Sequence, residues 1–425
     1  MTPTSTIQLP EMAAVRQRLY SAPVLDVPAA VSRTVSTVPL AARTTVGDTV
    51  AVAVGSRGID RLAEVVHQCI QGIKDHGLRP FLVPAMGSHG GGTADGQRAI
   101  LSHLGITEEA MGAPLCSDME AISLGRIRGD VHLFCAKDAI EADHLVVINR
   151  VKPHTKFSAP IESGICKMLT IGLGKVHGAT EFHRSAIRHG FGIIQEGAVA
   201  VVEKGNFLFG LALIEDGYSR LAEVSAVSPE GLIAEESQLL RHAYEWMARI
   251  PFDPLDVLVV DVIGKNISGI GMDSNVTGRH RDVTGDFFTS PHIKRIFVRD
   301  LAPESDGNAN GIGLADVTTR RLVDAIDVQK TYVNAIAAIS PEKAAIPMHF
   351  ESDRQAIEAC IRTAGYEGGR KARIVRIRDT KSLETMMVSR ALASEIEDHS
   401  GMDRIGPWKR PGFDGEGNLL KFGGV

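Results

Sequence analysis

The sequence predicts an α/β protein of two α/β domains, the first built on a parallel or mixed sheet that carries its chemistry at the carboxyl ends of the strands. Three observations lead there. Strand-like and helix-like patterns alternate from about residue 49, several apolar runs are continuous and β-branched, and 425 residues are too many for one ordinary core.

Taken in order, TVAVAVGS (49–56) reads as a strand, and GIDRLAEVVHQCIQGIKDHG (58–77) repeats apolar residues at helical spacing up to Gly77, which is placed to end a helix. RPFLVPAM (79–86) is the next strand, completing a βαβ unit. DHLVVINRV (143–151) and NFLFGLALIED (206–216) have the apolar continuity of strands covered on both faces. A charged amphipathic helix over 234–250 precedes PFDP, whose prolines break the pattern before LDVLVVDVIG begins a new strand. The boundary falls there, giving an N-terminal domain of residues 1–250 and a C-terminal domain of 251–425. In the second, strands are expected at RIFVRDLA, KAAIPMHF and ARIVRIRDT, and helices at GLADVTTRRLVDAI and SDRQAIEACIRTAG. The Gly- and Pro-rich tail RIGPWKRPGFDGEGNLLKFGGV is expected to wrap the surface. No fixed-period repeat or low-complexity tract occurs.

Composition excludes several classes of function. With 44% hydrophobic and 23% charged residues the chain is a soluble globular protein. Its 46 Lys and Arg against 51 Asp and Glu leave a charge of −5, and no basic run interleaved with aromatics is present to track phosphates, so nucleic acid is not an expected partner. The opening MTPTSTIQLPEM lacks a basic segment followed by an apolar one, and no run of about 18 apolar residues exists to cross a membrane, so the expected location is the cytoplasm. The five cysteines (Cys69, Cys116, Cys135, Cys166, Cys360) are scattered and form no CxxC, which argues against a disulfide framework, a zinc site or an iron–sulfur site.

Ligands of open α/β sheets collect where strands end, and three such loops here are unusual. The first strand ends in VGSRGID with Arg57, the second in AMGSHGGGT with His89, and the strand at 143–151 in RVKPHTKF with His154. The plain alternative for GSHGGGT is a flexible loop with an incidental imidazole. The functional reading is that its glycines admit a ligand close to the backbone while Thr93 caps the following helix. Its glycine spacing fits neither a Walker nor a Rossmann fingerprint. Pro153 fixes the turn before His154, and two strand-end histidines suit general acid and base work near neutral pH. Lys167, in ESGICKML, is either snorkelling from a helix or held for covalent or anionic contact. His183 follows sixteen residues on, with His177 and His189 six residues to either side. That spacing is not HExxH and yields no tetrahedral zinc set, but one or two imidazoles can complete a metal whose other ligands belong to a cofactor.

In this order, Arg57, His89, His154, Lys167 and His183 resemble the nickel-dependent lactate racemase family. The similarity runs over roughly residues 50–190 and resumes at SGIGMDSNVTG (268–278). The resemblance implies a nickel-pincer nucleotide tethered to Lys167 as a thioamide, with His183 as nickel ligand, and cofactor-maturation enzymes as partners. It further implies His89 and His154 as the acid/base pair and Arg57 as a holder of substrate, in a racemase or epimerase of a 2-hydroxy acid. That reaction runs by reversible hydride transfer through a 2-oxo acid. Where the family has SGGRK this chain has ESGICK, so Ser163 and Gly164 become candidates for holding the cofactor's phosphate. After the D-x-N segment stands TGRHR, with Arg281 or His280 as substrate-binding candidates, which points to a 2-hydroxy acid other than lactate. The expected site lies in the interdomain cleft. Two other readings are a non-catalytic anion- or metal-binding module on the same scaffold, and an oxidoreductase that releases the oxo acid.

Overall fold

Five strands make the sheet that carries the candidate residues: β1 (Thr49–Val54), β2 (Arg79–Pro84), β5 (His144–Arg150), β6 (Phe207–Glu215) and β7 (Leu221–Val227), with β3 (Ala121–Ile127) and β4 (Val131–Ala136) forming a separate antiparallel hairpin. The computed structural model describes residues 7–421, and its contacts divide the chain into two units, residues 20–247 and a second comprising the segment up to Leu19 with everything from Ala248 onward. The chain is α/β throughout.

In the first unit the strand order is β2-β1-β5-β6-β7, with β7 antiparallel and the others parallel. Alternation along each strand decides which layer a side chain enters. Val50, Val52, Val54, Val146 and Ile148 face one helical layer, in which α1 (Val27–Thr37) and α2 (Leu62–Asp75) contribute Val31, Val35, Val66 and Ile70. Ala51, Ala53, Leu145 and Val147 face the other, built from residues 165–202 together with the hairpin. Both faces are therefore covered, which is the physical reason these strands read as unbroken apolar runs. Helix α2 ends at the expected Gly77, whose φ of +76° is left-handed and whose N–H closes the last turn onto Lys74 O. Register places Val54 level with Pro84 and Ile148, so the loops after β1, β2 and β5 leave the same sheet edge.

The covering layer on the β1 Ala51 side is irregular. A turn of helix at Ile165–Lys167 widens into a π-type turn at Met168–Gly172 before α4 (Lys175–His189) and α5 (Ile193–Val202). Helix α6 (Leu232–Trp246) completes the layer, a little shorter than the helix expected over 234–250.

The second unit holds an eight-stranded sheet in the order Met348–Phe350, Val317–Thr319, Ile293–Leu301, Leu255–Ile263, Ile374–Ile377, Thr385–Ser389, Met12–Gln17, Met402–Arg404. The first five are parallel to one another; the remaining pairings are antiparallel. Two expected elements differ. GLADVTTRRLVDAI is not one helix, because Val317–Thr319 is a strand and only Arg320–Asp324 is helical. In KAAIPMHF only Met348–Phe350 pairs as a strand, after a short 3-10 turn. The tail docks on this unit: Leu419 N donates to Asp353 Oδ2 at 2.8 Å, while Leu419 O accepts from Arg299 and Leu420 O from Arg376 at 3.0 and 2.9 Å. Those arginines converge on the buried Asp261, Arg376 through two contacts of 2.7 and 2.8 Å and Arg299 at 3.0 Å. Among the described residues no helix is long and apolar enough to cross a membrane.

Candidate active site

Two of the three strand-end loops are tied to each other, and the third is closed on itself. After β1, Ser56 Oγ hydrogen-bonds His89 Nδ1 in the loop after β2. After β2, the buried Gln97 amide donates to Gly87 O at 2.9 Å and to His89 O at 3.3 Å, fixing the backbone on either side of the imidazole. Gly90, Gly91 and Gly92 all have φ near +66°, a left-handed run that L-residues with a Cβ resist. The loop is thus a defined turn, and Thr93 caps the following helix α3 (Ala94–His103) by accepting from Gly96 N at 3.1 Å, as the sequence indicates.

After β5, the loop bearing His154 is closed by backbone bonds between Lys152 and Ser163 in both directions. The carboxylate of Glu162, only 1% exposed, fills its centre. It accepts from His154 N at 2.5 Å, Ala159 N at 2.9 Å and the Tyr244 hydroxyl at 2.9 Å. The imidazole of His154 packs on Phe157, with ring centroids 4.4 Å apart, and Phe157 stacks on Phe191 at 3.9 Å. Its Nδ1 accepts from Lys156 N at 3.1 Å.

Ser163 and Gly164 lead directly into the turn holding Lys167. A Cβ on Gly164 would stand 2.1 Å from Glu236 Oε1, so glycine is required by the close approach of that carboxylate. Glu236 in turn accepts from Cys166 N at 2.9 Å. Asn149, at the end of β5, donates to Gly164 O at 3.0 Å and joins strand to turn.

The electrostatics show which candidates share surroundings. Burial, followed by the neighbouring charges of Arg57 and Lys152, lowers the Lys167 ammonium to about 7. Burial, followed by Lys167, Lys152, His183 and Lys156, holds His154 well below the usual imidazole value. Arg57 is accessible to solvent, yet desolvation and then Arg150 lower its guanidinium too. Arg57 thus acts on Lys167, Lys167 and His183 both act on His154, and Ser56 links the loops after β1 and β2 through His89. Lys167, His154 and His183 are partly exposed, as residues lining a depression would be.

Other candidates fall elsewhere. His189 pairs with Asp130 at 2.9 Å, and the ring of His177 lies tilted against Phe134, so each has its own partner away from His183. His280 is fully buried in the second unit against Asp282 and Phe287. Arg281 is exposed in that unit and lines a cavity with Arg279, Lys294, Arg295 and Asp316. The SGIGMDSNVTG segment follows the strand Leu255–Ile263, with Asp273 capping the short helix Ser274–Thr277. Among the described residues no group of three or more His, Cys, Asp or Glu is arranged to hold a metal by itself.

Ser56, Gln97, Glu162 and Glu236 are the site-building residues that sequence reasoning missed. Glu162 could have been noticed as the acidic residue opening ESGICK; the other three lie in patterns with no distinguishing spacing.

The fold is an α/β scaffold whose sheet carries Arg57, His89 and His154 in loops at the carboxyl ends of its parallel strands, with Lys167 on the helical turn that follows. Neither a family model nor a curated protein sequence matches the chain. Among solved structures it is similar to the lactate racemase apoprotein from Thermoanaerobacterium thermosaccharolyticum, with a TM-score of 0.51 at 12% identity, over 90% of this chain and 96% of that one. The likeness at that identity is one of fold: the chain has a lactate racemase-like fold.

Proposed function

We propose that this chain is a racemase or epimerase of a 2-hydroxy acid that works with a nickel-pincer nucleotide held at Lys167 and His183. The observation that carries the reading is that Lys167 and His183 both lie near enough to His154 to act on its charge, as Arg57 does on Lys167. The donor set fits the group. An amine that releases its proton near neutral pH is the form able to make an amide-type bond, and a single imidazole from His183 suits a borderline metal whose other ligands belong to the nucleotide. Ser163 and Gly164, preceding the lysine turn, are the proposed contacts for its phosphate.

When bound, such a group supplies a hydride acceptor for the carbon that bears the hydroxyl, a step no side chain performs. The residues of the chain handle protons and charge. His154, kept neutral by its surroundings, is ready to take the hydroxyl proton as the alcohol becomes a 2-oxo acid. His89, oriented by Ser56, is the second acid/base, so that each stereoisomer has its own base. Arg57 orients the carboxylate through charge-assisted hydrogen bonds. The maturation enzymes that build the nucleotide are the expected partners.

The test is expression together with those enzymes, followed by nickel analysis, intact mass, and stereoisomer interconversion across a panel of 2-hydroxy acids. Nickel, an adduct on Lys167 and interconversion are expected. His89→Ala and His154→Ala should each lower kcat by about 10²-fold or more while keeping the fold. Protein without nickel or adduct under these conditions would overturn the reading, and stoichiometric release of oxo acid to an external acceptor would replace it with an oxidoreductase.

A further inference from the structure

Helix α6 reaches two parts of the site at once. Glu236 and Tyr244 stand eight residues apart, within one stripe of the helix. At one end of that stripe Glu236, 1% exposed, accepts from Cys166 N at 2.9 Å and so caps the turn that carries Lys167. At the other end the Tyr244 hydroxyl donates at 2.9 Å to Glu162, whose carboxylate also gathers His154 N and Ala159 N into the loop that carries His154. Neither carboxylate belongs to the acid/base set, and each is buried at the cost of desolvation. The backbone closes around both: Gly164 leaves room for Glu236, and the Lys152–Ser163 pairing shuts the loop around Glu162.

We propose that Glu162 and Glu236 are positioning residues which, braced on helix α6, fix the placement of His154 relative to Lys167. The proposal rests on the racemase reading for its catalytic meaning, but its geometry can be measured without cofactor. Each carboxylate acts by accepting main-chain hydrogen bonds, so glutamine, which keeps one acceptor oxygen, should substitute and alanine should not.

The first experiment uses the full-length apoprotein and reads the pH midpoint of Lys167 acetylation by an N-hydroxysuccinimide ester, mapped by peptide mass. Burial is the first cause of the low Lys167 midpoint, so displacement of the turn toward water raises it. Glu236→Ala and Gly164→Ala are expected to raise the midpoint by about one unit or more, and Glu236→Gln to leave it near the wild-type value. Hydrogen exchange over residues 152–163 should quicken roughly tenfold in Glu162→Ala, less in Tyr244→Phe, and little in Glu162→Gln. In cofactor-loaded enzyme the alanine variants should lose kcat about tenfold or more with KM within about twofold, and the glutamine variants should recover it.

Folded alanine variants with an unchanged Lys167 midpoint and unchanged exchange would overturn the proposal. If Glu162→Ala or Glu236→Ala fails to fold, Tyr244→Phe and Gly164→Ala decide by the same two readouts. Failure of the racemase reading alone would leave the apoprotein shifts in place, so the two failures are distinguishable.

Discussion

Glu236 shows how a single buried carboxyl group links the site to pH. Its pKa is raised to about 7, chiefly by desolvation, against the ordinary glutamate value of 4.5. Because the folded protein binds this proton more tightly than the unfolded chain, the stabilising contribution is complete below pH 4.5 and is lost as pH rises through 7. The full span corresponds to about 3 kcal/mol. Glu236→Gln should therefore flatten part of the fall in stability between pH 5 and pH 8, measured as the difference in denaturation midpoints; equal slopes in both proteins would contradict it. At this scale the sequence singled out Arg57, His89 and His154 by their place after strands, and Lys167 and His183 by their order further along the chain. It was silent on their supports. Glu236 meets Cys166 across 70 residues and Tyr244 meets Glu162 across 82, and a lone glutamate in an amphipathic helix has the same local pattern as one on a solvated face.

Among the elements, the glycine loop after β2 makes the sharpest forecast. A Cβ on Gly90 would sit 2.5 Å from Gly96 C, whereas one on Gly91 meets nothing within 4 Å, and both residues are left-handed. Gly91→Ala should cost only the conformational penalty, about 1–2 kcal/mol, and Gly90→Ala distinctly more, since it also collides with backbone. Thermal unfolding of the two variants checks the order, and equal losses would show that the loop yields at Gly96. The long parallel strands were legible because burial on both faces leaves a continuous apolar record in the chain. Short or one-sided strands leave none. Val317–Thr319 lies hidden in a segment whose spacing imitates a helix, and the hairpin of β3 and β4 alternates too weakly to stand out.

For the whole molecule, the sequence located the second run of strands but not the way the chain ends are used. The strand Met12–Gln17 pairs with Thr385–Ser389, and the tail is held through Leu419 and Leu420 onto Arg299, Arg376 and Asp353. The tail contacts span 44 to 120 positions and the strand pairing far more, separations that no local pattern encodes. Deleting residues 411–425 removes the hydrogen bonds of Leu419 and Leu420 to Arg299, Arg376 and Asp353 and should destabilise the second unit by on the order of 2–4 kcal/mol. Urea unfolding followed by hydrogen exchange of peptides from each unit would locate the loss, and an unchanged second unit would refute the tail's role. The same connectivity makes residues 20–247 an insertion between two adjoining pieces of a host, and the ring of Tyr20 stacks on that of Trp246 at 4.9 Å where the insertion begins and ends. During synthesis the inserted body is therefore complete once residue 247 has left the ribosome, while the host must wait for its last strand at 402–404. The nascent chain thus carries a finished lysine turn while the host sheet still lacks most of its strands.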